Sequence, residues 1–208
     1  MSVSTKGRIG VFGGSFHPPH KGHVEAAKRF LDAANLDFLF VVPDYQPPHR
    51  TLPEGASALD RYEMTRIAFL PLGSRVRVMR TELDSGAARY TADTLSEYVR
   101  DFPEYEFYLY LGSDLFLEFE KWHEFEKIFS LATLAVLSRN NDEDAVLMKK
   151  RYFEETYRAR ILYLGQSPRV SSTEIRKKLS RGVCPAAIDP SVFEYIVNRN
   201  LYRATQET

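Results

Sequence analysis

Short apolar runs alternate with longer amphipathic stretches along most of the 208-residue chain. Six runs read as strands: Arg8–Phe12, Asp37–Val42, Val76–Arg80, Glu106–Leu111, Thr133–Leu137 and Arg160–Leu164. Several are apolar without alternation, the pattern of strands covered on both faces. Helical spacing runs over His20–Ala34, Ala58–Leu70, Ala92–Phe102, Leu117–Phe129, Asp142–Arg158, Thr173–Arg181 and Ser191–Asn198. Pro71 and Gly73 stop the second of these. Ser171, Ser172 and Thr173 offer hydroxyl caps for the sixth, with Glu174 near enough to assist. The alternation predicts an α/β fold, a doubly wound and mostly parallel sheet with helices on both faces. One domain spans 1–208, and its last part, about 168–208, is a small helical portion. Ligands of such sheets sit at the carboxyl ends of strands, so the chemistry is sought in the loops there. Pro43–Gly55 and Asp84–Tyr90 are two such loops.

Composition narrows the function classes. With 28 basic and 28 acidic residues the net charge is zero, so no whole-protein field favours nucleic acid or an anionic membrane. The lone Cys184 cannot make an intramolecular disulfide or anchor a cysteine zinc site. No apolar run approaches the roughly 18 residues of a membrane span. The first strand begins by about Arg8, which leaves no room for a signal peptide, and the expected location is cytoplasmic. A phosphate site must therefore come from local arrangement.

Such an arrangement follows the first strand. Gly13-Gly14-Ser15-Phe16 lets backbone amides approach an anion, and a helix opening near His20 adds its dipole and unpaired N–H groups. The loop matches neither the P-loop nor the dehydrogenase fingerprint. Four of the five histidines, His17, His20, His23 and His49, lie in two strand-end loops, and His20 and His23 share one face of a first helical turn. Gly22 between them costs helix stability, which points to a need for the missing side chain. A zinc site is the rival, but no cysteine or nearby carboxylate completes it. Far along the chain, the hydroxyls of Ser171-Ser172-Thr173 at a second helix start can hold a phosphate, with Arg176 one turn in. Between the two motifs, Gly112-Ser113-Asp114 follows a strand, where a carboxylate can accept from ribose hydroxyls or cap the next helix. Trp122, the single tryptophan, has polar neighbours Lys121, His123 and Glu124 that draw it toward partial exposure, where its face can stack on an aromatic base.

Gly13–His23 resembles the G-G-[ST]-F-x-P-x-H-x-G-H signature of the adenylyl- and cytidylyltransferase superfamily, and Val170–Arg176 is similar to its I-S-S-T-x-[IV]-R partner. The resemblance implies a Rossmann-like nucleotidyltransferase fold. It implies ATP phosphates on Gly13, Gly14, Ser15, Phe16, His20, Gly22, His23, Ser171, Ser172, Thr173 and Arg176, with Gly112 and Asp114 completing the ATP site. His20, His23 and Arg176 would stabilise the charge that develops as pyrophosphate leaves. The family usually has Asp where this chain has His17, and the role of that position is left open.

The spacing of Gly112-Ser113-Asp114 from Trp122 is similar to that in bacterial nicotinate mononucleotide adenylyltransferases. Pro47–Arg50, Tyr90–Leu95, Ser138-Arg139 and the ending Ile188–Tyr202 agree in order, so the likeness covers nearly the whole chain. It implies that Trp122 stacks on the pyridine ring and that amides near Thr91 and His123 hold the pyridine carboxylate. Asp114 would serve both nucleotides, while His49, Arg50 and Arg139 approach phosphates or nearby polar groups. The implied reaction is direct attack of nicotinate mononucleotide on the α-phosphorus of ATP, giving deamido-NAD and pyrophosphate in NAD biosynthesis. Mg²⁺ would bridge the ATP phosphates without a protein carboxylate cage. Nicotinamide mononucleotide and phosphopantetheine stay open as acceptors, and so does a non-catalytic nucleotide-sensing module. No nucleic acid or membrane partner is expected, and homo-oligomerisation is left open.

Overall fold

The computed structural model describes residues 6–47, 51–139, 142–168 and 170–203. Six strands form one sheet: β1 (Gly7–Gly14), β2 (Phe38–Pro43), β3 (Val76–Val78), β4 (Tyr105–Gly112), β5 (Ala132–Ser138) and β6 (Ile161–Gln166). All neighbours pair in parallel, in the order β3-β2-β1-β4-β5-β6. The chain winds outward from β1, then returns to its other side at β4. A crevice opens where the order reverses, beyond the carboxyl ends of β1 and β4.

The sheet is apolar on both faces because each is covered. Ile9 and Val11 of β1 belong to one buried cluster, with Leu95, Phe129 and Phe153; Phe12 belongs to the other, with Phe30, Met64 and Ile196. Helices α1 (Lys21–Ala33), α2 (Ala58–Phe69), α8 (Ser172–Leu179) and α9 (Pro190–Asn198) cover the face that bears Phe12. Helices α4 (Thr91–Asp101), α6 (Phe125–Leu131) and α7 (Glu143–Tyr157) cover the face of Ile9 and Val11. The C-terminal helix α9 is tied to α2 by Tyr195, whose hydroxyl donates to Asp60 at 3.1 Å, and its Val192 and Ile196 share the core with Phe12. Among the described residues no helix is long and apolar enough to cross a membrane.

Two stretches depart from the sequence pattern. The expected strand Val76–Arg80 is three residues long and is followed by a short helix, α3 (Thr81–Ser85), which Gly86 closes at φ 64°. Five residues are too few for a helical period to show. The expected helix Leu117–Phe129 is broken into α5 (Ser113–Leu117), a 3₁₀ turn at Phe119–Lys121, and α6. Phe116 and Phe119, and again Phe125 and Phe129, are spaced as on a helix, but six positions separate the two pairs and Glu124 turns the chain between them at φ 52°. That break leaves Trp122 and His123 outside any helix.

Candidate active site

A cavity of about 490 Å³ occupies the crevice. Its floor is the end of β1. A Cβ added to Gly13 would meet nothing within 4 Å, so its backbone faces open space. The loop then bends at Phe16, which takes φ 45° although it is bulky and buried. That left-handed conformation costs on the order of 1–3 kcal/mol. Packing supports it: the Phe16 ring lies edge-on to Phe12, His23 and Phe69 at 5.7, 5.1 and 5.7 Å.

His20 is the N-cap of α1, and its backbone N–H donates to Nδ1 of His23 at 3.2 Å. Accepting there leaves the His23 proton on Nε2. The two imidazoles stack at 3.6 Å with planes 19° apart. Burial pushes the His20 pKa down to about 4, with Arg139 adding to the effect. His23 is also held well below 6.5, by burial, then by His20 and by Arg139. Both rings are therefore neutral N–H donors near neutral pH, and a polyanion beside them would favour their charged forms.

The second motif meets the first here. Ser171 caps α8 by accepting from the Glu174 amide at 3.3 Å, while the Glu174 carboxylate pairs with Lys177 instead of assisting the cap. Ser171, Ser172, Thr173 and Arg176 line the cavity. Arg176 donates to the His17 carbonyl at 2.8 Å and to Thr173 Oγ1 at 3.2 Å, tying the two loops together. Gly22 lies behind the wall. A Cβ there would stand 2.8 Å from Val170 Cγ2, so the glycine allows the two motifs to approach. His17, left open in sequence, is buried on the cavity wall with its ring edge-on to Tyr202.

Across the crevice, β4 ends at Gly112, where a Cβ would come within 3.0 Å of the Arg139 guanidinium carbon and 2.7 Å of Asp114 Oδ1. Arg139 donates to the Tyr110 hydroxyl at 3.0 Å, and its charge reaches both histidines. Asp114 is exposed at the cavity edge; Gly112, not Asp114, is the N-cap of α5, and no side chain caps that helix. Further out, Thr91 opens α4, and Trp122 leans on Phe119 at 5.2 Å while lining the cavity. The exposed His123 packs on Tyr90 at 4.3 Å. His49 and Arg50 lie outside the described residues.

Three groups escaped the sequence reading. Arg61, almost completely buried, donates to the Ser15 carbonyl and Asp44 Oδ1 at 2.8 Å and to the Tyr45 carbonyl at 2.6 Å. Asp44 in turn accepts from the Ser15 hydroxyl at 2.6 Å, so this network braces the glycine loop from below. Its trace in the sequence is positional: Arg61 shares the apolar stripe of Met64 and Ala68 at spacings of three and seven. Glu82 and Arg89 also line the cavity. Burial, then Asp44, raises the Glu82 carboxyl to about 7. Among the described residues no group of three or more His, Cys, Asp or Glu side chains could hold a metal ion.

The chain matches the model of the family described as cytidylyltransferase-like over residues 11–178. A protein of Dictyoglomus thermophilum named "Probable nicotinate-nucleotide adenylyltransferase" is 34% identical, over 94% of this chain and 99% of that protein. Proteins of the same name from Shewanella pealeana and Corynebacterium glutamicum are 30% and 31% identical, each over 97% of this chain and over 98% and 91% of their own lengths. Plasmodium falciparum nicotinic acid mononucleotide adenylyltransferase, solved in complex with NaAD, shares the fold with a TM-score of 0.73 at 23% identity, covering 94% of this chain and 97% of that one. With the Gly13–His23 and Ser171–Arg176 motifs brought onto one cavity at the switch point of a 3-2-1-4-5-6 sheet, this chain belongs to the cytidylyltransferase-like family.

Proposed function

We propose that the protein is a nicotinate-nucleotide adenylyltransferase, which joins the adenylyl group of ATP to nicotinate mononucleotide. The observation that carries the assignment is the stacked His20–His23 pair on one cavity with the Ser171–Arg176 wall, Trp122 and Thr91. The full-length likeness to curated nicotinate-nucleotide adenylyltransferases supports it.

A phosphate oxygen of the mononucleotide attacks the α-phosphorus of ATP, forming the new P–O bond. The bond from that phosphorus to its bridging oxygen breaks, and pyrophosphate leaves with the electron pair. No protein nucleophile takes part, because the attacking phosphate is already anionic. Negative charge grows on the leaving phosphates, whose oxygens accept hydrogen bonds donated by N–H groups of His20, His23 and Arg176. The Gly13-Gly14 backbone and the start of α8 align the triphosphate, and alignment of this kind lowers barriers by up to roughly 7–11 kcal/mol. Asp114, exposed at the cavity edge, accepts from a ribose hydroxyl. The face of Trp122 stacks on the pyridine ring.

The donor set suits Mg²⁺ held by phosphate oxygens and water. Asp44, the carboxylate nearest the glycine loop, is already engaged by Arg61 and Ser15. When bound, the ion would neutralise phosphate charge.

The test is pyrophosphate release from ATP and Mg²⁺ with nicotinate mononucleotide, nicotinamide mononucleotide or phosphopantetheine offered separately. Release is expected with nicotinate mononucleotide. Release with phosphopantetheine alone, or with none of the three, overturns the assignment.

A further inference from the structure

The cavity wall carries a positive group that belongs to neither motif. Arg89 lines the cavity two residues before Thr91. Its neighbour Tyr90 packs on His123, which places this segment against the one that bears Trp122. The Arg89 side chain is 22% exposed, and among the described residues its one hydrogen bond runs from Nη2 to Glu97 at 2.7 Å. A guanidinium has five N–H donors in a fork that matches a carboxylate, so one such contact leaves most of them unspent. The helix that follows, α4, starts without a side-chain cap, and Thr91 at its positive end lines the same cavity. Thr91 and Thr94 also line that wall, the Thr94 hydroxyl being buried.

We propose that Arg89 is a specificity-determining residue, whose guanidinium joins the amides near Thr91 and His123 in receiving the carboxylate of nicotinate mononucleotide and so separates the acid from its amide analogue. The proposal rests on the function assigned above. Carboxylates stand near Arg89 on each side: Glu97 on α4, Glu82 on α3, and Asp44 beyond Glu82. Glu97 is the counter-ion that holds the guanidinium in the empty site. Asp44 is paired with Arg61. The Glu82 carboxyl keeps its proton up to about 7, so it opposes an incoming carboxylate only in part at neutral pH. An amide in place of the substrate carboxylate carries no charge for Arg89 to meet and turns an N–H₂ toward its donors.

The experiment compares kcat/KM for nicotinate and nicotinamide mononucleotides in the wild-type protein and in Arg89→Gln, Arg89→Lys and Glu97→Gln. Arg89→Gln is expected to lower the acid's kcat/KM about 10- to 100-fold, mainly through KM, as for loss of a charged hydrogen bond. The amide's value should stay within about twofold. Arg89→Lys should restore part of the preference, and Glu97→Gln should leave it at or above the wild-type level. Equal losses on both substrates, an unchanged preference in Arg89→Gln, or a Glu97→Gln variant that reproduces the loss would overturn the proposal. A wild-type protein inactive on nicotinate mononucleotide would instead refute the assigned function before Arg89 is altered.

Discussion

The stacked histidines make the stability of the empty protein sensitive to acid in a calculable way. Unfolded, His20 titrates near 6.5; folded, it titrates near 4, chiefly because it is buried. Between those values the unfolded chain binds the extra proton, so folding stability falls as pH drops through the window and levels off below about 4. At about 1.36 kcal/mol per pH unit, the full window is worth about 3 kcal/mol from this one ring. His23 acts in the same direction. Glu82 acts in the opposite one: its folded value of about 7 lies above 4.5, so it gains stability as pH falls through its own range. The wild-type curve alone is thus a sum, and the comparison with His20→Gln isolates the ring. Urea unfolding of both proteins at intervals from pH 7.5 to pH 4.5 measures it. The wild type should lose stability relative to the variant by about 2–3 kcal/mol over this span, including a smaller share from His23 as His20 no longer presses on it. Parallel curves would refute the claim that the pair is held neutral by burial. The same reasoning gives the sign for the liganded protein: ATP binding should take up protons near pH 6, seen as a buffer-dependent heat in calorimetry.

Breaking the support of the glycine loop should cost stability and activity together. Arg61→Met removes the ion partner of Asp44 and the guanidinium that donates to the Ser15 and Tyr45 carbonyls, and is expected to destabilise the fold by about 3 kcal/mol in urea unfolding, the low end for a broken buried pair because Asp44 keeps some solvent. Gly22→Ala gains helix propensity of up to about 1 kcal/mol but drives its Cβ into Val170, for an overpacking cost of about 1–3 kcal/mol. Adding Val170→Ala should recover most of the loss, so a strictly additive double-mutant cycle would rule out the steric explanation. Trp122→Ala should raise KM for the pyridine substrate about tenfold while leaving KM for ATP nearly unchanged, because the proposed stacking engages the pyridine ring alone. Equal changes in both KM values would remove the stacking role.

Much of this protein is written locally. The apolar runs from Arg8 to Leu164 mark strands because a residue covered on both sheet faces must be apolar whatever its neighbours in sequence. Gly13-Gly14, His20, His23 and the Ser171–Arg176 segment are recognisable because each motif is a few residues of one turn or one helix start. Gly22 was legible as a missing side chain, but only the structure names Val170 as what fills the space. The break at Glu124 was hidden because Phe116/Phe119 and Phe125/Phe129 are each spaced as on a helix, although they belong to separate short elements.

What tertiary structure decided alone is the state of those residues. The sequence places two histidines on one turn; burial, together with Arg139 from beyond β5, makes them neutral. Arg61 and Arg89 look alike as charged residues on or beside helices, yet one is sealed under the glycine loop and the other lines the cavity. Backbone propensity acts over a few neighbours and can be read from them. Desolvation and charge pairing depend on distances between residues far apart in the chain, and those exist only once the sheet has brought them together.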